Sequence, residues 1–285
     1  MINFDDYISR KKQLIERELN RILDQKRVSS IYEPMRYSVF SGGKRFRPLL
    51  TLCSGESLRA REDELLPFAC AIELIHNYSL IHDDLPSMDN DDFRRGKLTT
   101  HKVFGEAMAL LAGDGLLTLS FQVLSSLAQQ RKKSPMIIEA IYEISKAAGV
   151  DGMINGQAMD LKLTHQKVEE KDLIELNLKK TASLITAAVK VGGLIAQASN
   201  KELKALENYG QNLGIAFQII DDLLDTEQEN KNSLPRPNYA RLMGEKKARE
   251  KARQLVDEAI CSLHQANINS PCLEYLARKV ISQGD

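Results

Sequence analysis

The sequence carries no excess of either charge. Lysine plus arginine and aspartate plus glutamate each number 39 in 285 residues. No global field therefore draws the chain to nucleic acid or to an anionic surface, and no nucleic-acid partner is expected. Long uninterrupted apolar runs are lacking as well, so no membrane span is expected. The opening Met1-Ile2-Asn3-Phe4-Asp5-Asp6 is acidic where a signal peptide would be basic. A cytoplasmic location follows as the expectation. Cysteines are few: Cys53, Cys70, Cys261 and Cys272, without paired metal-ligand spacing. They read as structural thiols in a reducing compartment. No Pro/Gly/Ser-rich linker, low-complexity tract or repeat divides the chain, so residues 1–285 read as one domain. G-x-S-x-G, P-loop and dinucleotide motifs are also missing, and the inventory calls for no nucleophile.

What is present is helical periodicity, with few runs of period two. The pattern predicts helices over Phe4 to about Gln25, Arg47 to Ala60, Glu62 to Asp84 and Phe104 to Ala128. Pro86 should end or distort the third of these. Ser134-Pro135 and Ser270-Pro271 read as caps followed by proline at the first helical position, and Asn200 as a third cap. Ala182 to Ser199 is apolar or small on nearly every face, which predicts a central helix. The fold class is all-α.

Two aspartate-rich segments stand out against this background. Asp83-Asp84-Leu85-Pro86-Ser87-Met88-Asp89 and Asp221-Asp222-Leu223-Leu224-Asp225 each follow an apolar run. Carboxylates at the end of a buried helix cost free energy unless a cation or a hydrogen-bond donor compensates them. Asp221 and Asp225, four apart, share a helix face. Asp83 and Asp89, six apart, do not, but a bend at Pro86 would let Asp89 reach back. Read alone, a DDxxD is more often a solvated helix end, and Asn90, Asp91 and Asp92 either support the ligands from behind or, the preferred reading, are simply solvated. Together, two sets of hard oxygen ligands point to Mg²⁺ and a polyanion.

The cations fit that polyanion. Ser41-Gly42-Gly43-Lys44-Arg45-Phe46-Arg47-Pro48 is a basic glycine turn at a helix start, Arg94-Arg95-Gly96-Lys97 follows the first acids, and Lys179-Lys180-Thr181 adds a third basic point. Backbone N–H groups, lysine and fork-shaped guanidinium match phosphate oxygens. His76 lies two turns before Asp83 on nearly the same face and could donate to a phosphate. His82 is read as structural, and His101 carries no clear role. Acids, cations and apolar helices suit a substrate with a diphosphate head and a hydrocarbon tail.

These residues resemble the trans-isoprenyl diphosphate synthases. The resemblance rests on Gly42 to Pro48, on Ile75-His76-Asn77-Tyr78-Ser79-Leu80-Ile81-His82 leading into Asp83 to Asp89, on Arg94-Arg95-Gly96, on Lys180-Thr181, and on Phe217-Gln218 before Asp221 to Asp225. It covers about residues 35 to 260. Its longer first motif is similar to that of bacterial farnesyl diphosphate synthases. The resemblance implies a helical bundle around a deep central active-site cavity, in a homodimer. It implies condensation of isopentenyl diphosphate with dimethylallyl and then geranyl diphosphate. By the same resemblance Asp83, Asp84, Asp89, Asp221 and Asp225 ligate Mg²⁺, three ions with substrate bound. Those acids, with Asp222, Arg94 and Lys180, form the catalytic set. Arg94, Lys180, Thr181 and Gln218 contact the allylic diphosphate. Gly43, Lys44, Arg47, His76 and Arg95 hold isopentenyl diphosphate.

Tyr78 and Ser79, five and four residues before Asp83, are implied to set product length. Tyr78 floors the pocket at fifteen carbons. A geranylgeranyl diphosphate synthase is the alternative, a silent partner subunit a more distant one, and a terpene cyclase would not need the second diphosphate site. After Asp225 the chain departs from the family pattern. The usual loop is shortened, and either Lys231 or Arg236 fills its cation role.

Overall fold

The computed structural model describes residues 3–24, 30–130, 135–164, 166, 168–228 and 238–282. Among these, all regular structure is helical except a two-residue-per-strand hairpin. The chain packs into two units. One comprises residues 1–52 and 62–141, the other 53–61 and 142–285.

In the first unit, α1 (Phe4–Ile22) starts on the side chain of Asn3, which accepts from the amides of Asp5 and Asp6. Acids in that first turn suit the positive end of the helix dipole. Ile8, Ile15, Leu19 and Ile22 recur at helical spacing and form its buried stripe. α2 (Tyr32–Val39) and the start of α3 (Phe46–Ser57) follow. α4 (Glu62–Asp83) is buried on most faces, and packs most extensively on α6 (Glu106–Gln130). Between them stand the hairpin β1 (Phe93–Arg94) and β2 (Lys97–Leu98) and the short α5 (Thr100–Phe104). The expected helix from Phe104 is interrupted at Gly105, whose φ of 84° lies in the left-handed region.

Glu106–Gln129 is long and apolar enough to cross a membrane, because Glu106 and Asp114 are its only charged residues. Well under half of that stretch is buried in this fold, and Leu110 and Leu111 are exposed.

The polar centre of this unit is Arg45. It is 2% exposed and has φ of 52°. Its guanidinium donates to Glu16 at 2.7 Å, to Glu73 at 2.9 Å and to the carbonyl of Val39 at 2.6 Å. Burying a charge is tolerable only with this density of partners. The result pins the glycine turn to α1, α2 and α4.

The second unit holds the end of α7 (Pro135–Ala148), α8 (Met153–Leu163), α9 (Glu170–Asn177), a π-helical turn (Leu178–Ala182), α10 (Ser183–Ile195), α11 (Asn200–Gln228), α12 (Tyr239–Met243), α13 (Glu245–Gln265) and α14 (Pro271–Ile281). As the sequence predicts, α10 is buried all round from Leu184 to Val189. α11 packs against both α10 and α13. Gly214 lets α11 meet the π turn: a Cβ there would stand 2.4 Å from that of Ala182. The cap expected at Asn200 belongs instead to Ser199. Its hydroxyl accepts from the Glu202 amide at 3.3 Å, and Glu202 accepts from the Ser199 amide at 2.7 Å, a capping box one residue earlier. Ser270 does cap α14, accepting from the Leu273 amide. Ser134 lies outside the described residues.

The thiol reading is corrected at two positions. Cys53, in the second half of α3, and Cys272, in the first turn of α14, form a disulfide with Cα atoms 5.8 Å apart. They are 219 residues apart in sequence, so no spacing could announce the pair. Cys70 remains a buried thiol, pushed up in pKa by burial, and Cys261 an exposed one. Closing so long a loop stabilises by up to roughly 5 kcal/mol through the unfolded state. Reduction by dithiothreitol, or Cys272→Ser, should therefore lower the thermal midpoint by several degrees in a melting scan. Equal midpoints with and without reductant would show that the bond does not form.

Candidate functional site

The first unit holds a bent loop of acids. α4 runs to Asp83, and Pro86 prevents its continuation. The chain then folds back, with the Asp89 amide donating to the Asp83 carbonyl at 2.8 Å and the Asn90 amide to Leu85 at 3.1 Å. Asp83 and Asp89 are thus joined across the turn that the proline suggested. Asp84 points elsewhere. It is 4% exposed, and Arg94 Nε donates to its Oδ1 at 2.9 Å, with Nη2 beside it. Burial raises the Asp84 pKa, and the Arg94 hydrogen bond and charge oppose that rise. Arg94 Nη2 also donates to Asp91 at 2.9 Å, while Asp92 pairs with Lys102 at 2.7 Å. Asp91, half-buried, braces Arg94, whereas Asp92 is exposed, in keeping with the solvated reading, and meets Lys102 at the surface.

Next to this loop lies a cluster of guanidinium groups. Arg95 occupies the tip of the hairpin with φ of 55°, and its Nη1 donates to the Gly42 carbonyl. Gly43 needs glycine for its backbone, and a side chain there would also have to move the end of Arg95. Its φ is 132°, and a Cβ would stand 2.7 Å from Arg95 Nη1. Lys44 is exposed and Arg47 half-buried at the head of α3. The half-buried His76 is held well below the ordinary histidine pKa, first by burial and then by the charges of Arg47, Arg95, Arg45 and Arg94. A neutral imidazole among four arginines is a place where an anion would be welcome.

Below the acids on α4 sits Tyr78, 5% exposed, its pKa pushed up to about 12 by burial and then by Asp83. Its hydroxyl has no hydrogen-bond partner among the described residues. Ser79 donates to its own helix at the His76 carbonyl, 2.9 Å away. His101 is buried with Nδ1 3.1 Å from the Thr99 hydroxyl, a structural setting.

The second unit holds a hydrogen-bonded chain of its own. At the π turn, adjacent residues serve different neighbours. Lys180 Nζ pairs with Asp160 on α8, and the Thr181 hydroxyl donates to Gln218 Oε1 at 2.7 Å. Gln218 Nε2 donates to Asp222 Oδ1, and the Tyr239 amide to Oδ2, each at 2.9 Å. Asp222 is therefore anchored at both oxygens and 8% exposed. Asp221 is half-buried beside it. The backbone of Asp225 belongs to the same helix, but its side chain is outside the described residues, as are Lys231 and Arg236.

Asp160 escaped the sequence reading. Its signal was slight: an acid one turn after Gly156, where a Cβ would stand 2.2 Å from the Lys180 amide nitrogen. Such a pair looks like any solvated helix face until the π turn is seen against it.

Among the described residues no three His, Cys, Asp or Glu side chains gather into a cage. Mg²⁺ is commonly held by one or two carboxylates together with substrate phosphate and water. Asp83 and Asp89, whose backbones are joined across their turn, carry carboxylates of the hard-oxygen kind that such an ion takes.

Comparison with known proteins gives consistent results. Residues 28–234 match the family described as Polyprenyl synthetase. The chain is 38% identical to a farnesyl diphosphate synthase of Geobacillus stearothermophilus, over 99% of this chain and 98% of that protein. It is 38% identical to the large subunit 1 of a heterodimeric chloroplastic geranylgeranyl pyrophosphate synthase of Arabidopsis thaliana, over 90% of this chain and 73% of that one. The crystal structure of an FPP/GFPP synthase from Zymomonas mobilis superposes with a TM-score of 0.88 at 34% identity, covering 98% of this chain and 99% of that one. The all-α fold is that of these proteins.

Two outcomes follow from the geometry. An unfolded histidine takes up its proton near pH 6.5, and folded His76 resists doing so. Between those two values the unfolded chain binds more protons, so stability falls as the pH drops below about 6.5. Denaturant titrations from pH 7 to 5 should show a shallower loss for His76→Gln than for the wild type, and parallel curves would refute the assignment. Tyr78→Phe removes a buried, unbonded hydroxyl, and should match or exceed wild-type stability by up to about 1 kcal/mol. A clear loss of stability on that change would mean the hydroxyl has a partner after all.

Proposed function

Because this chain belongs to the polyprenyl synthetase family, as a prenyltransferase of the trans-prenyl diphosphate synthase kind, we propose that it makes farnesyl diphosphate. In this reading it condenses isopentenyl diphosphate head-to-tail with dimethylallyl and then geranyl diphosphate, releasing pyrophosphate. The carrying observation is Tyr78, a buried aromatic on α4 below the first acids.

Lys44, Arg47, His76 and Arg95, with the Gly43 backbone, would hold isopentenyl diphosphate. The cationic surroundings of His76 support that role. Arg94, Lys180, Thr181 and Gln218 would orient the allylic diphosphate. Arginine has five N–H donors, so Arg94 can keep its carboxylates and still offer donors to phosphate. Asp83, Asp84, Asp89, Asp221, Asp222 and Asp225 form the proposed acidic set. Asp84 and Asp222, each anchored, serve by placing the others. Asp83, Asp89, Asp221 and Asp225 are the proposed direct ligands of Mg²⁺, three ions with substrate bound, and Lys231 or Arg236 would close the site. When bound there, Mg²⁺ would supply the positive charge that lets the diphosphate leave as pyrophosphate.

The chemistry then needs little from the protein beyond position and shielding. The C1–O bond of the allylic substrate breaks, and the cation left behind is attacked by the C4 double-bond carbon of isopentenyl diphosphate. The proton lost from C2 passes to the departing pyrophosphate. No side chain among the described residues is placed as the base. Apolar walls keep water from the cation, and the Tyr78 ring ends the tail at fifteen carbons.

We further propose that residues 1–285 act as one catalytic domain in a cytoplasmic homodimer. α6 is read as a packed and dimer-forming helix rather than a membrane span. Its exposed Leu110 and Leu111 support that reading. A geranylgeranyl product is the second reading, supported by the name of the Arabidopsis relative.

The test is product analysis of purified protein given isopentenyl and geranyl diphosphates, with and without Mg²⁺. A Mg²⁺-dependent fifteen-carbon product is expected. Tyr78→Ala should shift the product to twenty carbons or longer. A twenty-carbon product from the wild type would select the second reading, and no product in either condition would end both.

A further inference from the structure

Tyr78 has no polar tether. Its hydroxyl lacks a hydrogen-bond partner among the described residues, so packing alone fixes the angle of its ring. One helical turn on, the imidazole of His82 meets that ring edge to face, with centroids 5.7 Å apart and planes at 78°. His82 is itself held from α6. Its Nε2 lies 3.1 Å from the Leu110 carbonyl and 3.9 Å from a carboxylate oxygen of Asp114. The imidazole fills a notch that exists only because residue 113 is glycine: a Cβ there would stand 2.1 Å from Nε2.

We propose that His82 is a specificity-determining positioning residue, which holds the Tyr78 ring across the tail pocket by bridging it to α6 at the Gly113 notch. The proposal rests on the reading of Tyr78 as the pocket floor. A tyrosine ring turns on two torsions, and a growing hydrocarbon tail pushes against it. With His82 in place, the ring cannot swing toward α6 without displacing an imidazole bonded to the backbone. Without His82, the space beside the ring is open and the floor becomes a door. Gly113 matters for the same reason, since any side chain there must drive the imidazole off the Leu110 carbonyl.

The experiment measures the ratio of twenty- to fifteen-carbon products, with total isoprenoid transfer recorded alongside. His82→Ala should raise the ratio by roughly two- to tenfold, the size of an aromatic edge contact. His82→Phe, which restores an aromatic edge, should bring it most of the way back. Gly113→Ala should act in the same direction as His82→Ala. Tyr78→Ala supplies the reference, and the Tyr78→Ala/His82→Ala double variant should resemble Tyr78→Ala alone, because a brace has nothing to hold once the ring is gone.

A His82→Ala enzyme that is less stable or slower, but has an unchanged product ratio, would overturn the proposal by leaving His82 a purely structural role. A double variant with products longer than those of Tyr78→Ala would overturn it too, since His82 would then act independently of the ring. If Tyr78→Ala itself fails to lengthen the product, the floor reading fails first. If Tyr78→Ala lengthens it and His82→Ala does not, only the brace fails.

Discussion

Burial of a carboxylate is the constraint around which each unit is arranged. An isolated buried aspartate would cost several kcal/mol or give up its charge. Asp84 avoids this by taking the Arg94 fork, and Asp222 by accepting from Gln218 Nε2 and the Tyr239 amide. The two solutions differ in chemistry but have the same effect. One acid in each motif is fixed by the interior, and its neighbours are thereby held at the surface of the same helix end. The neutral donors at Asp222 and the cationic donor at Asp84 also differ in local field.

The cationic side obeys a complementary rule. Arg45 is spent inside the fold, bonded to Glu16, Glu73 and the Val39 carbonyl. In return the glycine turn is rigid, and Arg95 can rest on the Gly42 carbonyl. Around His76 burial comes first, and the charges of Arg47, Arg95, Arg45 and Arg94 add to it in depressing the pKa of that imidazole. Preorganised charge of this kind makes an anion site effective, because little has to move when the ligand arrives.

Much of this was legible in the residues. Proline after paired aspartates foretold the turn joining Asp83 to Asp89, and the all-apolar stretch after Ala182 foretold a helix buried on every face. Other features depend on long-range contact and left no local trace. Nothing near Asp160 names Lys180 as its partner, and nothing in Cys53 names Cys272. Arg45 looked like one more phosphate ligand in a basic turn. Only the positions of Glu16 and Glu73 show that its charge is already taken. Asp91 and its partner Arg94 are only three residues apart, but no helix joins them to announce the pair.

The π turn at Leu178–Ala182 gives the second unit an unusual sensitivity to length. A π turn accommodates one residue more than an α-helix would over the same rise. That surplus lets adjacent Lys180 and Thr181 face Asp160 and Gln218 on different helices. Deleting a single residue here would not merely trim a loop. It would restore α geometry, and turn everything on one side of the deletion by about 100° relative to the other. Among related sequences, a one-residue gap at this point would therefore mark a change of function more reliably than many substitutions elsewhere.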